Sequence, residues 1–198
     1  MALRSIAVAC MMLAAGAVSA LAEEPTAPPP EEEMQWVDFQ APERGFAVSL
    51  PSPPQKSIEA VAGQNPLIRH SFKAYEGEDT VYTVVVLEYP AGKAPNPPGE
   101  AMYVKMISAY AKQSSSKVRK RGAKSIAGQD GFEAITDESK AKLNHRVSIV
   151  PAGDRIYMLI SAGPRGHVPS EAADRFRDSF RLTDGTSHSA AEPPAPSP

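Results

Sequence analysis

Five basic side chains stand close together in the middle of the chain: Lys117, Arg119, Lys120, Arg121 and Lys124. In an extended strand Lys117, Arg119 and Arg121 fall on one face, with Val118 on the other. Three closely spaced positive charges attract an anionic headgroup, an anionic polymer or an acidic partner, weakly and in a salt-dependent way. The plainer reading is a solvated edge strand, on which basic residues guard against edge-to-edge aggregation. His70 and His145 are the next candidates, because each falls on the apolar face of a strand-like pattern. If their strands are neighbours, the two imidazoles meet and, with Glu88 or Glu133, hold a metal. No metal-ligand spacing accompanies them, and a histidine in that setting is more often a packed core residue. Acyl hydrolysis needs a nucleophile, a base and an orienting acid; no Gly-x-Ser-x-Gly elbow is present. The residues therefore indicate no catalytic group, no cofactor and no metal site. They leave Lys117, Arg119 and Arg121 as the candidate surface-binding group.

Whatever these residues do, the ends of the chain say where they do it. Arg4 precedes an apolar run from Ile6 to Val18, and Ala20-Leu21-Ala22 sets small residues at the two positions a signal peptidase reads. Residues 1–22 are predicted to be a signal peptide cut before Glu23, with a cut after Ala20 as the second choice. The apolar run is short for a bilayer span, which needs about 20 residues, so the mature chain is not expected to be transmembrane. The single cysteine, Cys10, lies inside this run rather than at its end, which speaks against a lipid anchor. Cleavage leaves no cysteine, hence no disulfide and no thiol chemistry in an oxidising compartment. The expected location is periplasmic, or secreted.

The chain has 198 residues, a formal net charge of -2 and 42% hydrophobic residues. That charge excludes a dedicated basic nucleic-acid binder, and that hydrophobic content suits one packed core. Eight of its 20 prolines stand near the ends, at Pro25, Pro28, Pro29, Pro30, Pro193, Pro194, Pro196 and Pro198. Residues 23–33 read as a disordered Pro/Glu-rich linker and 185–198 as a Pro/Ala/Ser tail. One globular domain is predicted over 34–184.

Within it, Trp36 to Phe39 opens a strand, and Phe46, Val48 and Leu50 alternate with Ala47 and Ser49 as in a half-buried strand. Strands follow near Lys56 to Val61 and from Leu67 to Tyr75, with Ile68, His70, Phe72 and Ala74 on one face. Thr80 to Tyr89 is apolar on both sides, as in a strand covered from both sides. A helix is predicted over 99–113, with Met102, Met106 and Tyr110 on its stripe and Tyr103 and Ile107 beside it. Lys117 to Ile126 and Phe132 to Asp137 are joined by a Gly128-Gln129-Asp130-Gly131 turn. Strands from Leu143 to Ile149 and from Arg155 to Ala162 precede a last helix. Ser170 caps that helix, and Ala172, Ala173, Phe176 and Phe180 form its apolar side. Trp36 reads as a packing residue rather than a ligand platform. The fold class is α+β, mostly antiparallel sheet packed with one mid-domain helix and one C-terminal helix.

Several of these residues occur in a familiar order. Trp36-x-x-Phe39 is followed by Gly45-Phe46-x-Val48-x-Leu50-Pro51, a mid-domain helix and Gly128-x-x-Gly131. Then come Arg155-Ile156-Tyr157-Met158-Leu159 and Arg175-Phe176-x-x-Ser179-Phe180-Arg181. The order resembles the PsbP-like superfamily, which includes DcrB-type exported bacterial proteins and the extrinsic P subunit of photosystem II. The resemblance covers the globular domain. It implies an antiparallel sheet with helices packed on it, and a non-catalytic module that binds or stabilises a partner, here an envelope protein or complex. It transfers no catalytic residue and no cofactor. A periplasmic hydrolase whose site assembles only in three dimensions is one alternative, and a weak binder of anionic surfaces through the basic strand is another.

Overall fold

The computed structural model describes residues 35–61, 67–95 and 98–183. The expected signal peptide, linker and C-terminal tail lie outside them. The elements run β1 (Val37–Ala41), β2 (Phe46–Leu50), β3 (Gln55–Val61), β4 (Leu67–Glu76), β5 (Thr80–Glu88), α1 (Glu100–Gln113), β6 (Lys117–Ile126), β7 (Gln129–Glu138), β8 (Leu143–Ala152), β9 (Arg155–Pro164), α2 (Glu171–Ser179) and β10 (Arg181–Leu182). Seven strands pair antiparallel in the order β3-β4-β5-β9-β8-β7-β6, and β1, β2 and β10 make a second sheet with β2 in the middle. This is the expected α+β architecture, divided between two sheets rather than one.

The period of two along each strand sorts the core into two layers. Phe72, Ala74, Tyr82, Val84, Val86, Val150, Tyr157 and Leu159 point to one face of the large sheet. They pack against Phe46, Val48 and Leu50 of β2 and against Phe176 and Phe180. Val85, Phe132, Ala134, Val147, Ile149, Ile156, Met158 and Ile160 point to the other face, under Tyr103 and Ile107 of α1. Strands β5 and β9 serve both layers, which is why they read as continuous apolar runs.

Several details depart from the sequence pattern. Ala47 is buried along with Phe46 and Val48, because β2 has β1 on one side and β10 with α2 on the other; the Ser49 N–H is donated to Ser179 Oγ at 3.0 Å. Strand β10 is too short to show a period of its own. The buried row of α1 is Tyr103, Ile107 and Ala111, while Met102, Met106 and Tyr110 pack at its flank. Both rows are spaced i, i+4, and the one ending in a small residue lets the helix approach the sheet most closely. The β6–β7 turn lies earlier than the Gly-x-x-Gly pattern suggests. Ile126 pairs with Gln129, so Ala127 and Gly128 are the two central residues, both at positive φ (50° and 74°), the geometry that suits the twist of a two-residue hairpin. Gly131 is instead inside β7, where a Cβ would meet the Ile149 carbonyl oxygen. Phe180 lies one residue past α2, at its C-cap, and stacks on Phe46 with ring centroids 5.9 Å apart. The Ser170 cap forms as predicted, its Oγ accepting from the Ala173 N–H at 3.2 Å.

Candidate functional site

Strand β6 is an edge of the large sheet, and its residues from Arg119 through Ser125 are all exposed. The strand turns over at Arg119. Lys117 pairs with Asp137 and Val118 with Thr136, but Lys120 pairs with Ile135 and Arg121 with Ala134. Arg119 is therefore the extra residue of a β-bulge, which reverses the alternation beyond it. Arg121 comes to lie opposite buried Ala134, on the α1 side, while Lys117, Lys120 and Lys124 lie opposite Asp137, Ile135 and Gly131 on the other. The expectation that Lys117, Arg119 and Arg121 share one face is thus corrected, since it assumed unbroken alternation. Arg119 is also engaged, its Nη2 standing 2.7 Å from Asp137 Oδ2. That hydrogen bond holds the Asp137 carboxyl below the usual carboxylate range. Among the described residues, Lys117, Lys120, Arg121 and Lys124 form no ion pair. The exposed basic group on one face is therefore Lys117, Lys120 and Lys124.

A shallow hollow of 190 Å³ opens at Gly122, between Lys120 and Lys124, with Glu133 and Ile135 on its floor. Another of 240 Å³ lies beside Tyr103, Asp130 and Phe132. Both are smaller than the roughly 300–1,000 Å³ typical of small-molecule sites.

The two histidines do not meet. His70 is in register with Val86, Tyr157 and Val150 across β5, β9 and β8. His145 lies an odd number of residues from Val150 on β8, so it faces the opposite side of the sheet. Two strands also separate β4 from β8. Each histidine is buried in a cluster of its own. His145 Nδ1 is 2.9 Å from the Tyr110 hydroxyl, and its Nε2 is 3.6 Å from Glu138 Oε2. Burial pushes the imidazole pKa down despite the nearby Glu138 and Asp137. Glu133 lies on the face away from His145 and instead accepts from the Ser148 hydroxyl at 3.2 Å.

Glu88 lies beside His70, but in an arginine cluster and not with a second histidine. Glu88 accepts from Arg44 Nη1 at 2.9 Å and from Arg155 Nη2 and Nε at 2.9 and 3.2 Å. His70 Nε2 stands 3.3 Å from Glu88 Oε2. Burial alone raises the Glu88 pKa, but Arg155, Arg44 and His70 outweigh it and hold the carboxylate low. Burial lowers the His70 pKa, and the Arg44 charge pushes the same way. Arg44 follows β1 and Arg155 opens β9, so this cluster ties the small sheet to the large one. Gly45 makes the approach possible. It sits at φ +70°, and a Cβ there would come within 2.9 Å of Arg155 Nη1. The Tyr157 hydroxyl completes the joint by donating to the Arg44 carbonyl at 2.8 Å.

A second cluster docks α2. Buried Arg146 donates from Nη1 to Asp174 Oδ1 and from Nη2 to the Val168 carbonyl, both at 2.6 Å. Arg177 reaches Asp174 at 3.1 Å and Glu133 at 3.5 Å. Trp36 behaves as a packing residue, edge-on to Tyr82 at 5.2 Å with the Arg175 guanidinium 4.9 Å from its ring centre. Neither arginine cluster has a signal in the sequence, because its members come from elements far apart in the chain. Among the described residues no group of three or more His, Asp or Glu side chains gathers where it could hold a metal. No helix among them is long and apolar enough to cross a membrane.

The described residues thus form a seven-stranded antiparallel sheet, with a small sheet and one helix on one face and a second helix on the other. The chain is similar to the solution structure of cyanobacterial PsbP (CyanoP) from Synechocystis sp. PCC 6803, with a TM-score of 0.55 over 79% of this chain and 98% of that one. The two are 13% identical, so the likeness is one of fold. No family model matches the chain, and no curated protein matches it.

Proposed function

We propose that this chain is an exported, non-catalytic module of PsbP-like fold that binds or stabilises a partner in the cell envelope. The observation that supports the reading is where its half-buried ion pairs go. Glu88, Arg155 and Arg44 join the two sheets, and Arg146, Asp174 and Arg177 fasten α2. These ion pairs serve the joints between layers, and the two hollows described above are small. The groups left for another molecule lie on the strand edges. Export rests on Arg4, the apolar run and Ala20-Leu21-Ala22, and the nearer likeness to DcrB-type exported proteins belongs to the same proposal.

The test combines cell fractionation with mass spectrometry of the N-terminus and in-cell crosslinking of the tagged protein. A mature chain starting at Glu23, or at Leu21, and a captured envelope component lost on surface substitution support the reading. An intact Met1 start in the cytoplasm overturns it. A second reading is favoured by one observation, the unpaired Lys117, Lys120 and Lys124 on one face of β6. They support weak contact with an anionic surface, each charge being worth about 1 kcal/mol near an anionic membrane.

A further inference from the structure

The large sheet has two edges, and they are built differently. Edge strand β6 carries five basic residues and a bulge, two devices that discourage a second strand from pairing with it. Edge strand β3 has neither. It pairs with β4 in unbroken register over all seven residues, holds no proline, and carries one charge of each sign, Lys56 and Glu59. Every residue of β3 is exposed. At its midpoint stands Ile58, 72% exposed, and diagonally across on β4 on the same face stands Ile68, 44% exposed.

We propose that β3 is the contact between two copies of this chain, paired antiparallel about a two-fold axis through Ile58. Such an axis, perpendicular to the sheet, keeps each face continuous with the same face of the partner. Because Ile58 is the middle residue of β3, this register engages the strand along its full length. Ile58 meets Ile58 of the other copy, Lys56 meets Ala60, Ser57 meets Glu59 and Gln55 meets Val61. No two like charges are directly opposed. On one face Ile68, Ile58 and Ala60 of each copy join into a single apolar stripe across the axis, which removes from water the most exposed large apolar side chain of the described residues. The outward backbone groups of both edges find partners in the same step. A second copy fits because this edge is complementary to itself, as a two-fold contact requires. At β6 the same operation would bring two rows of positive charge together.

Sedimentation of the purified chain over a concentration series should show a monomer–dimer equilibrium. Ile58→Lys places two ammonium groups opposite each other and should weaken association about tenfold or more, with the circular dichroism spectrum unchanged. Register is read independently in a Cys10→Ser background. Ile58→Cys should form a disulfide-linked dimer on oxidation, since directly opposed residues fall within bonding range. Lys56→Cys and Ala60→Cys should crosslink when mixed and not singly, because two copies of either residue lie about 13 Å apart along the strands. Lys117→Cys on β6 should not crosslink. If Ile58→Lys fails to fold, the cysteine results decide alone. A monomer at every concentration overturns the proposal. So does a dimer that crosslinks through Lys117→Cys or in another register, or a monomer that adds only a foreign strand to β3.

Discussion

Glu88 is the residue on which the joint between the two sheets turns. Glu88→Gln leaves Arg44 and Arg155 with a neutral acceptor in a half-buried place and should cost about 1.5–3 kcal/mol, the range for a hydrogen bond to a charged group. The denaturant midpoint should fall accordingly, and a midpoint equal to that of the native sequence would show that the cluster adds nothing. The histidines set a pH dependence with a definite sign. Burial holds His70, His145 and His167 below the ordinary value of 6.5. Between that value and each lowered pKa the unfolded chain binds protons that the folded chain refuses. Their contribution is therefore complete above about pH 6.5 and is lost as the pH falls through that window. Unfolding free energy measured from pH 7.5 downward should decline before the carboxylates titrate. His145→Gln, which can keep the bond to Tyr110, should flatten the decline. A slope unchanged by that substitution would remove His145 as a source.

At the scale of elements, α2 and the residue that ends it carry the packing on the small-sheet side. Phe176 lies edge-on to Tyr82 at 5.2 Å, and Phe180 stacks on Phe46 and lies tilted against Tyr157. Either one truncated to Ala should cost about 3–5 kcal/mol, out of the roughly 5–15 kcal/mol that holds a domain folded. A Phe180→Ala protein with an unchanged midpoint would contradict the packing described. For β6 the bulge selects the charges to test. A Lys117, Lys120 and Lys124 triple Gln variant should lose its weak binding to anionic vesicles, and that binding should fade as salt rises, because exposed charges are screened beyond about 8 Å at physiological ionic strength. An Arg121→Gln variant, altered on the other face, should bind nearly as the native chain does. Equal sedimentation with vesicles by the triple variant and the native chain would leave the strand as a charged edge and no more.

For the whole molecule, both apolar layers are built, among the described residues, from side chains between Trp36 and Leu182. A chain trimmed to 34–184 should therefore keep its melting temperature, and a large drop would show that a segment outside those bounds docks on the domain. The α+β class, the strand and helix order and the Ser170 cap were legible in the sequence because each depends on residues a few positions apart. Alternation marked Phe72 and Ala74, and helical spacing marked Phe176, whichever neighbours they later met. The sequence determined these local periods, and its first residues carry the pattern on which the export proposal rests. Tertiary structure alone decided what crosses the chain. It set His70 and His145 on opposite faces, gathered Glu88 with Arg44 and Arg155, turned Arg121 away from Lys117 at a bulge, and placed β3 last in the large sheet among the described residues. Strand order and register are chosen by the summed packing of whole faces, a long-range balance that no short window of residues records.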